Sequence, residues 1–475
     1  MTNNPRGDTP VLDPQSDQGA GGQAFLAGRS QARQLAFLAL RQMDRQSTFA
    51  NIALDRVLRS TDLPQPERDL VTELVYGITR RCRTLDALID RYSRKPAQQQ
   101  PPDLRRVLHV GFYQLAFLPQ IPPAIVIHTT VELARQQKLE RLTQVVNGIL
   151  RAFLRAADPV DLTAHLFPEP FHRDPDAAQL ALLESFPDWL VELWQQQLGD
   201  SATQALCRWF NQPPTIDLRV NCCRTDLVEV AQALQAVGIP TDPITHTRGG
   251  LRLRHHAGDI TQLPGFREGW WTVQDASAQQ VVEWLDPQPH ERVIDCCAAP
   301  GGKSTAIAER MGNEGEVWAL DRHQGRLARV EDNAQRLGLT CIRTQAIDLT
   351  QVEPQRDSLP SWRSADRVLL DAPCSGLGTL HRHADARWRQ SPAMIEDLVR
   401  LQARLLRQVS RWVKPGGILV YATCTLHPAE NQQQIEGFLV EQTDWHLDRD
   451  PWQIWPHREQ RDGFFMARLT YLGSG

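Results

Sequence analysis

The feature that most constrains the fold of this chain is a regular alternation of strand-like and helix-like segments from residue 291 onward. Four short apolar segments have the length of buried strands: residues 293–296, 317–320, 368–370 and 417–421. The intervening residues include segments with helical spacing, most clearly in the long segment 394–413. Apolar strands that alternate with helices indicate a parallel sheet covered by helices on both faces. We therefore expect residues 291–475 to form an α/β domain.

The part of the chain before this domain divides into four regions, because 475 residues are too many for one hydrophobic core. Residues 1–28 are polar and rich in glycine and are predicted to be a disordered tail. Residues 31–156 have apolar side chains at helical spacing between proline-marked turns, which predicts a compact all-α domain. Residues 157–215 are interpreted as a helical connector. Residues 216–290 contain short strand patterns at 216–221, 251–253 and 270–273 around a helix at 227–237, and predict a small α+β module.

Charge is unevenly distributed between these regions. The whole chain has a net charge of −4, but residues 31–156 contain 19 Lys and Arg against 11 Asp and Glu. A basic module joined to an acidic remainder favours RNA as a partner, with the phosphate contacts concentrated in the helical domain. A helical bundle with a solvated arginine-rich face is the alternative.

Several classes of protein are excluded by composition. No apolar segment approaches the ~20 residues of a membrane span, and the polar N-terminus lacks the apolar core of a secretion signal, so we expect a cytoplasmic protein. The chain has nine cysteines, and no two of them are spaced C-x-x-C. We therefore expect neither a disulfide framework nor a metal site. The chain is expected to act as a monomer.

The first predicted strand of the α/β domain leads into a turn of small residues, Cys297-Ala298-Ala299-Pro300-Gly301-Gly302-Lys303. Small residues allow a ligand to approach the backbone, and the following helix offers free N–H groups. Gly302-Lys303-Ser304 matches the end of a phosphate-binding loop, so an NTPase is one interpretation, although Cys297 occupies the first glycine position of that motif. A tight turn without a ligand is another.

Two acidic residues favour a nucleoside over a triphosphate. Asp321 ends the second predicted strand, 26 residues after Asp295, where a carboxylate can accept hydrogen bonds from ribose hydroxyls. Asp348 follows a further strand, predicted between segments 317–320 and 368–370, where an adenine amino group would lie. Both carboxylates would repel the charge of a triphosphate.

Two cysteines follow the ends of neighbouring strands. Cys374 lies in the turn Asp371–Thr379, and Cys424 lies in the turn that begins at Tyr421. Because the carboxyl ends of parallel strands meet at one edge of a sheet, we expect both thiols to face the ligand cleft. A helix predicted to start near Pro428 would place its positive end near Cys424.

These segments resemble the RNA cytosine-C5 methyltransferases of the Nol/Nop/Sun group. The similarity rests on the Cys297–Lys303 turn, Asp371–Thr379, and Tyr421–Cys424 with Glu430-Asn431, and further segments extend it over residues 216–475. Residues 31–156 resemble the NusB antitermination-factor fold, an RNA-binding bundle. The combination is similar to the RsmB/Sun (Fmu) family, which methylates 16S rRNA.

The resemblance implies a class I methyltransferase domain with a seven-stranded Rossmann-like sheet. S-adenosyl-L-methionine is then the implied cofactor, bound by the residues of the small-residue turn together with Asp321, Asp348 and Asp371. Cys424 is the implied nucleophile, and Cys374 the residue that assists release of the methylated base.

The chemistry explains why a thiolate is needed. C5 of cytosine is too weakly nucleophilic to take a methyl group unaided, and addition of a sulfur at C6 makes it enamine-like. Asp371 is placed to contact the N3 or N4 edge of the base. The base must also leave its stack, and Arg382, His383, Arg387 and Trp388 are candidates to contact the phosphates or the extruded base. A solvated basic loop is the alternative for these four.

Other functions remain open at the level of the sequence. They are an NTPase, a tRNA cytosine-C5 methyltransferase, and a NusB-like RNA-binding assembly factor without activity. The presence of Asp371, Cys374 and Cys424 argues against the last.

Overall fold

The computed structural model describes residues 20–167, 175–255, 257–353 and 359–473. The chain divides into two compact units between Gln197 and Leu198, inside the segment predicted as a connector. Most of the predicted disordered tail lies outside the described residues. The first helix nevertheless begins at Ala20, earlier than expected, and no proline interrupts the sequence from there to Gln46.

The first unit is helical over its described residues. Its ten helices are α1 (Ala20–Gln46), α2 (Ala50–Arg59), α3 (Gln65–Arg80), α4 (Cys82–Tyr92), α5 (Pro102–Phe117), α6 (Pro123–Gln136), α7 (Thr143–Ala156), α8 (Leu162–Leu166), α9 (Ala177–Glu184) and α10 (Asp188–Leu198). Helices α5 and α6 begin with Pro102 and Pro123 because proline has no N–H to lose at a first helical position. The proline-marked turns of the sequence are therefore helix starts.

The core of the first unit follows the helical spacing of its sequence. In α7 the buried residues are Val146, Ile149, Leu150 and Phe153, which lie on one face of the helix. Val145, which the sequence pattern also assigns to the apolar set, lies off that face and is 43% exposed. None of the described helices combines the length and the hydropathy that crossing a lipid bilayer requires.

The second unit starts with helix α11 (Asp200–Phe210) and a small antiparallel sheet. The strands of this sheet are β1 (Asp217–Val220), β2 (Thr241–Pro243), β3 (Gly250–Leu253) and β4 (Trp271–Val273), in the order β2-β3-β1-β4. Helix α12 (Leu227–Ala236) packs against them, with Val230 and Leu234 in a shared core. The sequence predicts β1, β3, β4 and α12 but misses β2, a three-residue edge strand that contains a proline.

A large mixed sheet forms the rest of the second unit. Its strands are β5 (Arg292–Cys296), β6 (Glu316–Asp321), β7 (Ile342–Ala346), β8 (Ala365–Asp371), β9 (Val413–Thr423), β10 (Trp445–Leu447), β11 (Trp452–Gln453) and β12 (Phe465–Tyr471). Seven strands lie in the order β10-β12-β9-β8-β5-β6-β7, and β11 pairs with β12 beside this path. The predicted seven-stranded, Rossmann-like sheet is confirmed, with β11 as a short addition.

Helices cover both faces of this sheet. They are α13 (Ala276–Leu285), α14 (Gly302–Arg310), α15 (Gln324–Leu337), α16 (Ala386–Arg389), α17 (Pro392–Val409), α18 (Gln432–Glu441) and α19 (Pro456–Glu459). Two hydrophobic cores form, one including Leu370 and Leu406 and the other including Leu369 and Ile307. Leu369 and Leu370 are consecutive residues of β8 and lie in opposite cores, as expected for a strand buried on both faces.

The register of the central strands positions the site. Strands β5, β6, β7, β8 and β9 are parallel, and the strand order reverses between β5 and β8. Asp371 of β8 lies opposite Ala422 of β9, so the turns that follow the two strands leave the same edge of the sheet. Ligands of open α/β sheets bind at this type of crevice.

Candidate active site at the carboxyl ends of the central strands

The turn after β5 is shaped by two residues with positive φ. Cys297 has a φ of 63° and Gly301 a φ of 102°. A Cβ atom at Gly301 would lie 2.9 Å from the Cα of Val330 in α15, so only glycine allows this close approach. Helix α14 begins at Gly302, and its first N–H groups therefore point toward the edge at which the strands end.

The two predicted ligand carboxylates lie at the ends of β6 and β7. Asp321 is buried and accepts hydrogen bonds from the N–H groups of Ala299 (3.2 Å) and His323 (2.9 Å). Asp348 accepts hydrogen bonds from the N–H (3.0 Å) and hydroxyl (2.7 Å) of Thr350, and these bonds lower the pKa of its carboxyl group. Each carboxylate retains acceptor capacity, because a carboxylate offers about four lone-pair positions.

A lysine and two further carboxylates lie beside the turn. The Nζ of Lys303 donates to Asp371 at 2.7 Å and lies 5.2 Å from the ring centroid of Phe464. Burial alone would lower the pKa of the Lys303 ammonium, but Asp371 and other negative groups raise it above its usual value. Burial raises the pKa of Asp295 to about 7, since only the hydroxyl of Ser304 donates to its side chain among the described residues.

The two candidate thiols are in contact. The sulfur atoms of Cys374 and Cys424 lie 3.3 Å apart, and both side chains are partly exposed. The hydrogen bond to Cys424, together with burial and nearby negative charge, raises the pKa of Cys374 well above its usual value. The raised pKa keeps Cys374 protonated, so its S–H can donate to the sulfur of Cys424.

These groups line one cavity of about 560 Å³, a volume typical of small-molecule sites. The predicted site residues that line it are Cys297, Ala299, Asp321, Asp348, Asp371, Cys374 and Cys424. The other predicted residues, Ala298, Pro300, Gly301, Gly302 and Lys303, lie in the adjoining turn and first turn of α14. The structure therefore brings the predicted residues to one place, while their individual roles stay predictions.

Some residues of the cavity were not identified from the sequence. Leu401 and Leu405 of α17 contribute an apolar wall, and Arg326 of α15 donates to the carbonyl of Ala299 at 2.7 Å. The i, i+4 spacing of the two leucines was a usable signal for a helix face, but it does not reveal that the face borders a ligand cavity.

The helix predicted to start near Pro428 begins four residues further along the chain, at Gln432. No α-helix begins at Pro428: residues Pro428–Glu430 form a single 3₁₀ turn, and α18 begins only at Gln432, because Asn431 has a non-helical ψ of −104°. A helix N-terminus at Pro428 therefore does not act on Cys424.

The basic segment after Thr379 is largely structural. Arg382 donates to Asp462 (2.9 Å), Asp275 (2.9 Å) and the carbonyl of Thr215 (2.7 Å). Arg387 is fully buried and donates to Asn211 at 2.9 Å. Neither guanidinium is available for RNA phosphates, because each is committed to interior acceptors. His383 is exposed and Trp388 is half-buried, and their contact with RNA stays a prediction.

The small module is joined to the large sheet by a buried arginine. Arg219 of β1 forms an ion pair with Glu309 of α14 (2.8 Å) and donates to Thr305 (2.9 Å) and to the carbonyl of Gly302 (2.6 Å). The side chains of Arg219 and Glu309 are 8% and 6% exposed. Arg219 thus links the small sheet to α14, the helix that begins within the small-residue turn.

One group of potential metal ligands occurs among the described residues of the first unit, formed by Cys82, Asp86 and His109. Asp86 already accepts hydrogen bonds from Arg105 (2.7 Å) and His109 (2.8 Å). Two arginines, Arg105 and Arg106, lie beside the group and oppose a cation. The arrangement suits an ion-pair network between α4 and α5.

Comparison with known proteins identifies three matching family models. The model described as 16S rRNA methyltransferase RsmB/F matches residues 282–470, the NusB family matches 30–155, and the ferredoxin-like domain of RsmF/B-like methyltransferases matches 186–260. These ranges agree in order with the predicted helical domain, small module and methyltransferase domain. The exact domain limits stay a prediction.

Curated relatives match over almost the whole chain. The probable ribosomal RNA small subunit methyltransferase B of Synechocystis is 47% identical, covering 92% of this chain and 99% of the relative. The Bacillus subtilis protein of the same description is 33% identical, covering 94% of this chain and all of the relative. The solved structure of the protein PH0851 is 25% identical and aligns over 93% of this chain and 98% of its own, with a TM-score of 0.75.

Identity at this level over the full length of the relatives decides the family. The order of domains, the strand order and the two cysteine turns are consistent with it. This chain belongs to the RsmB family of S-adenosylmethionine-dependent rRNA small subunit methyltransferases.

Proposed function

We propose that this chain transfers a methyl group from S-adenosylmethionine to C5 of a cytosine in 16S rRNA through a covalent bond from Cys424. The observation that carries the proposal is the contact of two thiols, 3.3 Å apart, in a cavity that also contains the carboxylates expected for the cofactor. A methyltransferase that acted on a ring nitrogen or a hydroxyl would need neither thiol.

The cavity fits S-adenosylmethionine chemically. Asp321 and Asp348 offer acceptors for the ribose hydroxyls and the adenine amino group, at the ends of adjacent strands. Leu401 and Leu405 provide an apolar surface for the adenine ring. The cofactor supplies a methyl group on a positively charged sulfur, and a cleft lined with carboxylates suits that charge better than a triphosphate. This argues against the NTPase alternative.

Different residues of the chain then act on the base in each step. The thiolate of Cys424 adds to C6, forming an S–C6 bond and moving the electron pair of the C5–C6 double bond to C5. Asp371, held by Lys303 at 2.7 Å, contacts the N3 or N4 edge and stabilises the charge of the ring. C5 then takes the methyl group.

Release reverses the addition. The C5 proton passes to a base, the S–C6 bond breaks, and its electron pair returns to the sulfur of Cys424. Cys374 lies next to that sulfur and is assigned to this step. Once Cys424 is bonded to carbon, the interaction that contributes most to the raised pKa of Cys374 is gone. Cys374 can then lose its proton to solvent and accept the proton from C5.

RNA binding is assigned to the modules that precede the catalytic domain. The NusB-like helical domain carries the basic excess of the chain, and phosphate contacts there would position the rRNA. Monomeric action stays a prediction.

The assignment of the two thiols is tested by trapping the adduct. In Cys374→Ala, addition at C6 proceeds but release is blocked, so an RNA–protein complex that survives denaturing electrophoresis should accumulate. Cys424→Ala should form none, and the double variant should also form none. Cys341→Ala is the matched control, because its thiol lies outside the cavity. An adduct that persists in Cys424→Ala would reverse the roles.

The target is tested by bisulfite sequencing of total RNA from a strain that lacks the gene. We expect one 16S rRNA cytosine to lose its resistance to conversion and to regain it when the intact gene is supplied. Loss of protection in tRNA instead would replace rRNA by tRNA as the substrate.

A further inference from the structure

A buried carboxylate lies directly behind the two thiols. Glu430 follows β9 in the 3₁₀ turn Pro428–Glu430, and its side chain is fully buried. Its two carboxylate oxygens accept hydrogen bonds from four donor groups, which suits the ionised form because a carboxylate can only accept. The reaction as assigned above makes no use of this residue.

The donors to Glu430 come from both cysteine turns. The N–H of Ser375 donates at 2.9 Å, and its hydroxyl donates to the other oxygen. The hydroxyl of Thr425 donates at 3.1 Å, and the amide of Gln402 in α17 donates at 3.0 Å. Ser375 adjoins one candidate thiol and Thr425 adjoins the other. The carboxylate therefore ties the two turns together and fixes the separation of the two sulfurs.

Two groups of opposite charge lie near the thiol pair. Glu430 is one of the negative groups that raise the pKa of Cys374, after the hydrogen bond that Cys374 donates to Cys424 and burial. Lys303 is a neighbouring positive charge, and Asp371 first and then Cys424 raise the pKa of its ammonium. Asp371 lines the same cavity as the pair and accepts a hydrogen bond from the lysine.

We propose that Glu430 is a positioning residue that determines which sulfur attacks the base: together with the cation of Lys303, it keeps the shared proton on Cys374 and leaves Cys424 as the thiolate. This inference rests on the proposed function for its meaning in the reaction. Which of the two cysteines is the thiolate can be measured without RNA or cofactor.

The test is the order in which the two thiols react with iodoacetamide, an electrophile that thiolates attack with loss of iodide. The full-length protein is alkylated at neutral pH, and initial rates are read from peptide masses. In the wild-type protein, Cys424 should react faster than Cys374. Glu430→Gln keeps the shape and lets the two hydroxyls reverse their hydrogen bonds, but it removes the charge. The ratio of the two rates should then fall about tenfold, the effect of one nearby charge.

Two controls accompany this variant. Glu436→Gln makes the same change at an exposed position of α18 and should leave the ratio unaltered. The exposed Cys222 and Cys223 should react at the same rate in all variants, which shows that the fold and the reagent are comparable. A folded Glu430→Gln protein with the wild-type ratio would overturn the proposal.

If Glu430→Gln fails to fold, Lys303→Gln tests in a second way which of the two sulfurs carries the proton, because it removes the neighbouring positive charge. Removal of the cation should also lower the ratio, and an unchanged ratio would overturn the proposal. Failure of RNA methylation would not affect this measurement, so the two hypotheses fail separately.

The effect on turnover separates positioning from binding. Glu430 is enclosed by protein and should not contact RNA, so Glu430→Gln should lower kcat about tenfold and leave KM within about twofold. Glu430→Asp, which keeps the charge, should recover most of kcat. A variant that raises KM alone would place Glu430 in RNA binding instead and would overturn the proposal.

Discussion

The buried carboxyl group of Asp295 should make the stability of the second unit depend on pH. Its side chain is fully buried at the end of β5, and only Ser304 donates to it among the described residues. Burial raises its pKa to about 7 from the usual 3.8. Asp295→Asn removes the titration while preserving the size of the side chain, so the variant isolates this single group.

The sign and size of the effect follow from proton linkage. The folded state holds the proton more tightly than the unfolded state, so the contribution of Asp295 is most favourable below the unfolded pKa. It is lost as pH rises from about 4 to about 7. A difference of about 3 pKa units corresponds to about 4 kcal/mol of unfolding free energy. In Asp295→Asn this part of the pH dependence should be absent, and the variant should gain about 4 kcal/mol relative to wild type between pH 4 and pH 8.

Urea unfolding from pH 4 to pH 8 measures the effect, with tryptophan fluorescence as the probe. Eleven of the 13 tryptophans lie in the second unit, so the signal reports mainly on the unit that contains Asp295. All other titrating groups are common to both proteins and cancel in the difference. Parallel stability curves for the two proteins would refute the claim that Asp295 is protonated on folding.

Three further changes have defined outcomes. Gly301→Ala places a Cβ 2.9 Å from the Cα of Val330 and strains a positive φ. The variant should lose about 1–3 kcal/mol of unfolding free energy, measured in urea, and should bind S-adenosylmethionine more weakly in calorimetry. Unaltered stability and affinity would contradict the close approach. Arg219→Met leaves Glu309 buried without its main partner and should lower the free energy of unfolding in urea by about 3–5 kcal/mol. The double variant Arg219→Met with Glu309→Gln should restore part of this loss. A loss below about 1 kcal/mol would refute the burial argument. Asp348→Asn should weaken S-adenosylmethionine binding about tenfold without changing the melting temperature, and tight binding would exclude it as a cofactor ligand.

The sequence predicted the large sheet and the meeting of the two cysteine turns for a simple physical reason. Parallel strands joined by helices must end at one edge, and β8 and β9 are neighbours, so the turns with Cys374 and Cys424 converge. The positions of Asp321 and Asp348 follow from the same rule.

Other features depended on contacts that no local pattern encodes. An arginine-rich segment suggests a solvent-exposed surface, but Arg382 and Arg387 find buried acceptors from distant parts of the chain. Glu430 belongs to a motif noted in the sequence, yet its role as an acceptor for both cysteine turns is visible only in three dimensions. The helix expected near Pro428 starts only at Gln432, because Asn431 adopts a non-helical conformation and accepts a hydrogen bond from the Thr423 hydroxyl at 2.6 Å.

The guanidinium of Arg219 has a consequence for how this family can diversify. A side chain from the small sheet completes the interior of the neighbouring domain, so a replacement small module without an arginine at this position would leave Glu309 without a counterion. A fragment that begins at residue 291 would carry the same defect and should be recovered mainly as insoluble protein. Changes in RNA preference are therefore expected on the outward surface of the small module, where substitutions leave that junction intact.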